Sequence, residues 1–290
     1  MIRDKLNQLI EDISRTQSMD RVYQAKKEYH AMSGEIFEDD VSYEARMGLF
    51  LEWFAFDYPV NGARTPLEQY LEQNADSLPA EDLELFQGFQ NSRHSLFLLK
   101  KNGHGNIVVL DLFEDEKLTV QEDDGRFFFN KDDVFEARLL PFRNKYYFTE
   151  NFCHHPKQTY KYIASKVHPL RKAEAQDYKT LKKMNKDWTS LKKELDGINR
   201  QIEKVSAKIE KTYSESKQEK LQKKLGSLKS EKVQLEIRYY EQKNKIADWE
   251  ANQIQIGHRA KRFQLMKRLS YMSLKWERYH NVDVRDIYRD

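Results

Sequence analysis

Between Leu181 and Ile209 the residues Leu181, Met184, Trp188, Leu191, Leu195, Ile198, Ile202, Val205 and Ile209 recur at alternating steps of three and four. That is an unbroken a/d heptad seam, and it requires a helix that buries one narrow stripe against another helix. Lys, Glu and Gln fill most of the other positions. A second seam follows as Leu221, Leu225, Leu228, Lys232, Leu235, Tyr239, Gln242, Ile246, Trp249, Gln253, Ile256, Ala260 and Phe263. No seam hydrophobe occurs between Ile209 and Leu221. Ser216 and Glu219 within that gap have the spacing of a capping box, so a new helix can begin there.

The two seams therefore predict a long antiparallel coiled-coil hairpin over 170–260, folded near residue 215. Folding about Glu215 sets Ile209 against Leu221, Val205 against Leu225, Ile202 against Leu228, Leu195 against Leu235, Leu191 against Tyr239, Met184 against Ile246 and Leu181 against Trp249. Two layers are mismatched, Ile198 with Lys232 and Trp188 with Gln242. Polar seam residues lower stability and fix register, so Lys232 and Gln242 are the expected register marks; Lys232 can snorkel its charge outward. Gly197 and Gly226 fall off the seam, each costing about 1 kcal/mol of helix propensity relative to Ala.

After Ile256 the apolar coverage widens through Phe263, Leu265, Met266, Leu269, Met272, Leu274, Trp276 and Tyr279. A helix so covered packs on a body rather than on one partner helix. Residues 261–290 are expected to return to an N-terminal head, with the hairpin projecting from it.

Residues 1–92 read as a helical unit. Ile2, Leu6, Leu9, Ile10 and Ile13 share one helical face, and a second helix runs from near Ser18 to Met32. Met47 to Phe56 is apolar all round, as in a buried helix. That helix stops before Pro59, and Asn61-Gly62 supplies a turn. Thr65, Pro66 and Glu68 combine an N-cap, a first-turn proline and a capping box. A last helix spans about Pro79 to Gln90. The period then shortens. Ser95–Lys101, Asn106–Leu112, Lys117–Glu122, Arg126–Phe129, Val134–Leu140 and Lys145–Thr149 read as strands, separated by turn signals at Gly103-His104-Gly105 and Asp124-Gly125. Six short strands predict a small antiparallel SH3-like barrel over 93–155. The fold class is α+β, mainly helical.

Charge divides the chain. The net charge of +3 conceals 17 Lys+Arg against 29 Asp+Glu in residues 1–150, and 33 against 18 in residues 151–290. Such asymmetry suggests an acidic or basic partner, or head-to-tail contact between molecules, although coiled-coil exteriors are commonly Lys-rich. The densest positive charge is Arg259, Lys261, Arg262, Lys267 and Arg268 around Phe263, with Lys157, Lys161, Lys166, Arg171 and Lys172 at the start of the hairpin. This is the candidate partner-binding patch. It can either meet phosphates or pair with the acidic half.

No catalytic, cofactor or metal motif is present. A phosphate loop and a G-x-G-x-x-G turn are absent. Cys153-His154-His155 is the sole cluster of ligand or nucleophile character. There is no second Cys pair at a recognisable zinc spacing, and distant His104 or His168 could contribute ligands, but nothing in the sequence predicts that they converge. The acidic runs Glu114-Asp115-Glu116 and Asp123-Asp124 read as solvated strand connections. No apolar run reaches the roughly 18–20 residues of a membrane span, and the N-terminus lacks a signal-peptide pattern; a cytoplasmic location is expected.

The stretch Phe50-Leu51-Glu52-Trp53-Phe54-Ala55-Phe56-Asp57 followed by Thr65-Pro66-Leu67-Glu68-Gln69-Tyr70-Leu71 resembles a segment of uncharacterised bacterial proteins, some of which carry a SEC-C-type cysteine-rich metal motif. The resemblance covers about residues 40–150 and implies a bacterial, cytoplasmic protein. Zinc binding does not carry over, because the metal motif is absent here, and the resemblance implies no activity and no functional residue for the shared segment. The resulting expectation is a non-enzymatic interaction or scaffolding protein that uses the hairpin for self-association or partner binding. The alternative is a nucleic-acid- or ribosome-binding protein that uses the basic patch.

Overall fold

The computed structural model describes residues 2–59, 64–103, 105–122, 127 and 129–289. Two compact units are present, Met1–Arg171 with Lys261–Asp290, and Lys172–Ala260.

The first unit opens with α1 (Ile2–Thr16), α2 (Met19–Ser33), α3 (Tyr43–Phe56), α4 (Pro66–Asn74) and α5 (Ala80–Phe89). Leu6, Leu9 and Ile13 bury the inner face of α1. Central α3 buries Leu49, Phe50, Trp53, Phe54, Ala55 and Phe56 on every side. Ser18 caps α2, and Thr65 with Glu68 forms the capping box at the start of α4. The Asn61-Gly62 turn lies outside the described residues. Gly34 ends α2 with φ of +85°, and a Cβ there would meet the Tyr271 ring at 2.5 Å. Only glycine satisfies both that left-handed backbone and that close approach.

Six strands follow: β1 (Arg93–Gly103), β2 (Asn106–Asp111), β3 (Glu116–Gln121), β4 (Val134–Phe142), β5 (Lys145–Phe148) and β6 (Cys153–His155). Their order is β1-β2-β3-β5-β4, and β4 pairs again with β1, so five strands close into a small barrel with β6 added on β4. Every pairing is antiparallel except a parallel contact of β3 with β5 at Val120–Tyr146 and Gln121–Tyr147. Phe97, Leu99, Val109, Val120, Phe135, Leu139 and Phe148 fill the interior.

The expected strand Arg126–Phe129 is not formed by its described residues, Phe127 and Phe129. Both rings pack into the barrel core beside Phe148 and Phe152 instead. Asp123-Asp124 and Asp124-Gly125 fall outside the described residues, as does His104. In β1 and β4 both faces are buried. The outward residues Leu96, Leu98 and Val134 pack on Ile163, Val167, Met266 and Leu269 from helices that cover the barrel.

Helix α6 (Tyr160–Glu210) starts ten residues earlier than the expected hairpin and contains Pro169. An interior proline removes one helical hydrogen bond; burial of Ile163 and Val167 offsets that loss. Helix α8 (His258–Arg278), from Lys261 onward, and the short α9 (Val284–Ile287) complete the first unit.

In the second unit, α6 is followed by a turn at residues 211–214 and α7 (Glu215–Asp248). Ser214 occupies the N-cap position and Ser216 lies inside the helix, so the turn comes slightly earlier than the Ser216–Glu219 signal places it. From Leu181 to Gln253 every seam position is buried or half-buried, and most other positions are exposed. The helix then widens into a π-helical stretch, Trp249–Gly257. Its i→i+5 bonding rotates later residues out of phase with the seam. Ile256, which the heptad count keeps in the seam, is 61% exposed, and Ala260 is exposed as well.

Candidate interaction surfaces and the buried ionic network

The five residues of the expected basic patch fall in different surroundings. Arg259 lies in the second unit and is exposed, whereas the other four lie in the first. Lys267 is not a surface residue: its exposure is 0%. The helical period carries it to the apolar face of α8 beside Met266 and Ser270, facing the outer side of β4. Its Nζ lies 2.5 Å from Glu136 Oε1 and 2.9 Å from the Tyr29 hydroxyl, above the Tyr29 and Phe263 rings. Arg262 donates to Glu114 at 2.5 Å and lies over Phe113. Arg268 donates to the Arg289 carbonyl at 3.4 Å. Lys261 is exposed.

The acidic run Glu114-Asp115-Glu116 at the β2–β3 turn is correspondingly more than a solvated loop. Glu114 takes Arg262, Asp115 takes Arg171 at 2.6 Å, and Glu116 takes Arg93 at 2.8 Å. Two of these pairs, Glu114–Arg262 and Asp115–Arg171, join acidic residues of the first half to basic residues of the second within one unit.

Lys267 belongs to a buried network that no spacing pattern revealed. On β4, Phe135, Ala137 and Leu139 point into the barrel, so Glu136 and Arg138 point outward beneath the covering helices. His94, paired with Arg138 in the β1–β4 register, places Nε2 at 2.8 Å from Glu136 Oε1. The Arg138 guanidinium bonds Asp57 and, at 2.9 Å, Ser92; its Nε lies 3.6 Å from Glu52. Asn151 donates to Glu52 at 2.7 Å. Arg46 reaches across to α8, donating to the Ser270 carbonyl and hydroxyl at 3.1 and 3.0 Å.

Burial and pairing pull these groups in opposite directions. For Glu136, burial raises the pKa, but the Lys267 charge and the His94 hydrogen bond outweigh it and hold the carboxyl far below its usual range. For Lys267, burial lowers the value and the Glu136 charge more than compensates, so the ammonium persists. Burial pushes Tyr29 up to about 12 and Glu52 up to about 7, in Glu52 against the opposing pull of Arg138 and Asn151. Burial also lowers His94, so a neutral imidazole donates to Glu136. These groups interlock as a clamp that ties α2, α3, β1, β4 and α8 together.

Cys153 and His155 alternate with His154 along β6 and do not converge. Cys153 is buried 3.6 Å from the Ser270 hydroxyl, and His155 Nδ1 lies 3.0 Å from the Tyr288 hydroxyl. Among the described residues no group of three or more His, Cys, Asp or Glu is arranged to hold a metal ion, and no helix is long and apolar enough to cross a membrane.

Within the hairpin, Lys232 is half-buried with its ammonium 3.6 Å from Glu236, one turn along. Gln242 donates to the Met184 carbonyl at 3.2 Å, and Trp188 stacks on Tyr239 at 5.4 Å. These contacts join adjacent layers of the anticipated register, Trp188 reaching one layer past its expected partner Gln242. The surface feature the heptad count passed over is on the opposite side of α7. Val233, Ile237 and Tyr240, spaced four and three, are 51%, 49% and 58% exposed. Their signal was present in the sequence, two positions before the seam residues Leu235, Tyr239 and Gln242.

Compared with known proteins, the chain matches one family model, Family of unknown function (DUF7986), over residues 1–203. No curated protein and no solved structure matches it.

Proposed function

The chain belongs to the DUF7986 family, whose function is unknown, and we propose that it acts as a non-enzymatic interaction or scaffolding protein whose coiled-coil hairpin is the binding element. The observation that carries this reading is the exposed Val233-Ile237-Tyr240 stripe. The outer face of a two-helix coiled coil needs only charged and polar residues, and contiguous large apolar groups on it mark an interaction site. The first unit supports the same reading from the other side. Glu52, Asp57, His94, Glu136, Arg138 and Lys267 are engaged with one another in the clamp, which ties them to structure rather than to a substrate.

Light scattering of the full chain across concentration and salt, together with capture of partners from a lysate, tests the proposal. Association or capture that is lost when Ile237 becomes Glu supports it. A strict monomer that captures nothing sinks it. The nucleic-acid reading is weaker, because Lys267 is buried and Arg262 is engaged by Glu114. A gel shift at about 50 mM salt, where phosphate contacts are strongest, decides it through loss of binding in Arg259→Glu, Arg262→Glu and Arg268→Glu.

A further inference from the structure

We propose that the outer face of α7 is a homodimer interface on which two copies pair antiparallel, with Ile237 of one opposite Tyr240 of the other. This rests on reading the hairpin as a binding element and names its partner as a second copy of this chain.

The apolar stripe is the centre of a second heptad series. Ser230, Val233, Ile237, Tyr240, Asn244 and Ala247 follow steps of three and four, and all six are exposed. They lie two positions before the seam, on the side of α7 turned away from it. Each is small, apolar or uncharged, on a helix whose other exterior positions are mostly Lys, Glu and Gln.

Charge selects the occupant and its direction. Along one flank of the stripe lie Lys229, Glu236 and Lys243 of α7, followed by Glu250 at the start of the π-helical stretch, spaced by sevens and alternating in sign. In an antiparallel pair each flank faces its own counterpart on the second helix. Two registers place the apolar groups together. With Ile237 opposite Tyr240, Glu236 meets Lys243 of the second copy and Lys229 meets Glu250, and the twofold axis repeats both pairs. With Ile237 opposite Val233, Glu236 meets Glu236 and Lys229 meets Lys243, which repel. The other flank offers Gln234 to Glu241 and Ser227 to Asp248 in the favoured register, with no like-charge contact. A parallel pair would instead bring Glu236 toward Glu241. Flanking charges of this kind set orientation and partner choice in coiled coils.

Sedimentation velocity of the full chain over roughly 1–200 µM, spanning weak association constants, tests the interface, with circular dichroism to show that each variant retains its helix. The wild type is expected to dimerise. Ile237→Glu, at an exposed position, is expected to abolish the dimer. Lys243→Glu places like charges at both ends of the twofold and should weaken it about tenfold, roughly 1.4 kcal/mol. The double variant Glu236→Lys with Lys243→Glu restores the intermolecular pairs, though not the Lys232–Glu236 contact within the chain, and should recover most of the affinity. A wild-type chain that stays monomeric throughout overturns the interface, even if a different partner is captured and the interaction reading survives. A dimer indifferent to Ile237→Glu, or a charge swap that fails to rescue Lys243→Glu, overturns it as well and places self-association on another surface.

Discussion

The two units handle charge in opposite ways. In the hairpin, one narrow apolar stripe on each helix meets one partner, so Lys and Glu stay in water. Polar intrusions into the apolar layers, such as Lys232 and Gln242, are few. In the first unit β4 is covered on both faces, so the positions that alternate with Phe135, Ala137 and Leu139 are driven inside. There Glu136 and Arg138 must be paired, and Lys267, His94, Asp57 and Glu52 do so. Number of charges is therefore a poor guide to their energetic weight; the number of faces an element has covered is a better one. Electrostatics should dominate the stability of the first unit and hardly touch that of the second.

The largest expected effect tests that contrast directly. Lys267→Met leaves Glu136 a buried carboxylate with no cationic partner, held only by His94, and should cost the first unit about 3–5 kcal/mol. Adding Glu136→Gln should return a large part of it. Urea unfolding of the full chain, followed by tyrosine and tryptophan fluorescence, measures both; a loss under about 1 kcal/mol for the single variant would break the comparison.

Glu52 sharpens it through pH. Its folded pKa of about 7 lies above the ordinary value of 4.5. The folded state therefore binds the extra proton between those values. The penalty of the buried carboxylate is full above pH 7 and fades as pH falls toward 4.5. Glu52→Gln should stabilise the protein at pH 8 by on the order of 3 kcal/mol, with the gap closing by pH 5. His155 works against this in the wild type. Its folded pKa, lowered by burial to about 3, lies under the ordinary 6.5, so stability is lost as pH falls below 6.5. Thermal melts of wild type and variant at the two pH values separate the Glu52 contribution from that background.

In the hairpin the sensitive group is apolar. Leu235→Ala should cost about 2 kcal/mol, at the low end for buried leucine because the seam is narrow, and hydrogen exchange should show the loss confined to 172–260. Smallest is Arg262→Ala. Its pair with Glu114 is partly exposed, so the change in stability should stay below about 1 kcal/mol and shrink further in high salt. A substantially larger effect would mean that surface pairing, and not only buried pairing, holds α8 in place.

The hairpin was legible because its information is one-dimensional. Heptad spacing alone names which residues are covered, and every seam position through Gln253 is covered. The starts of α2 and α4 were legible for a similar reason, since Ser18, Thr65 and Glu68 act on neighbours three residues away. Three-residue β6 carries too few residues for a period to register. The π-helical stretch was hidden because heptad counting assumes a constant turn, so Ile256 was assigned to a seam it has already left.

By itself, then, the sequence determined the mainly helical α+β class, the small barrel and the coiled-coil seams, all of which follow from periodicity and local capping. Tertiary structure alone decided the fate of Lys267. Five basic residues near Phe263 look alike in sequence, and a lysine in a Lys-Arg pair reads as solvated. Whether it meets water or a carboxylate depends on which strand lies across from α8, and Glu136 is more than a hundred residues away. The same holds for Glu114 and Arg262. Long-range pairing of charge leaves no spacing in the chain, because the matching is made by a fold that brings β4 and a distant turn against one helix.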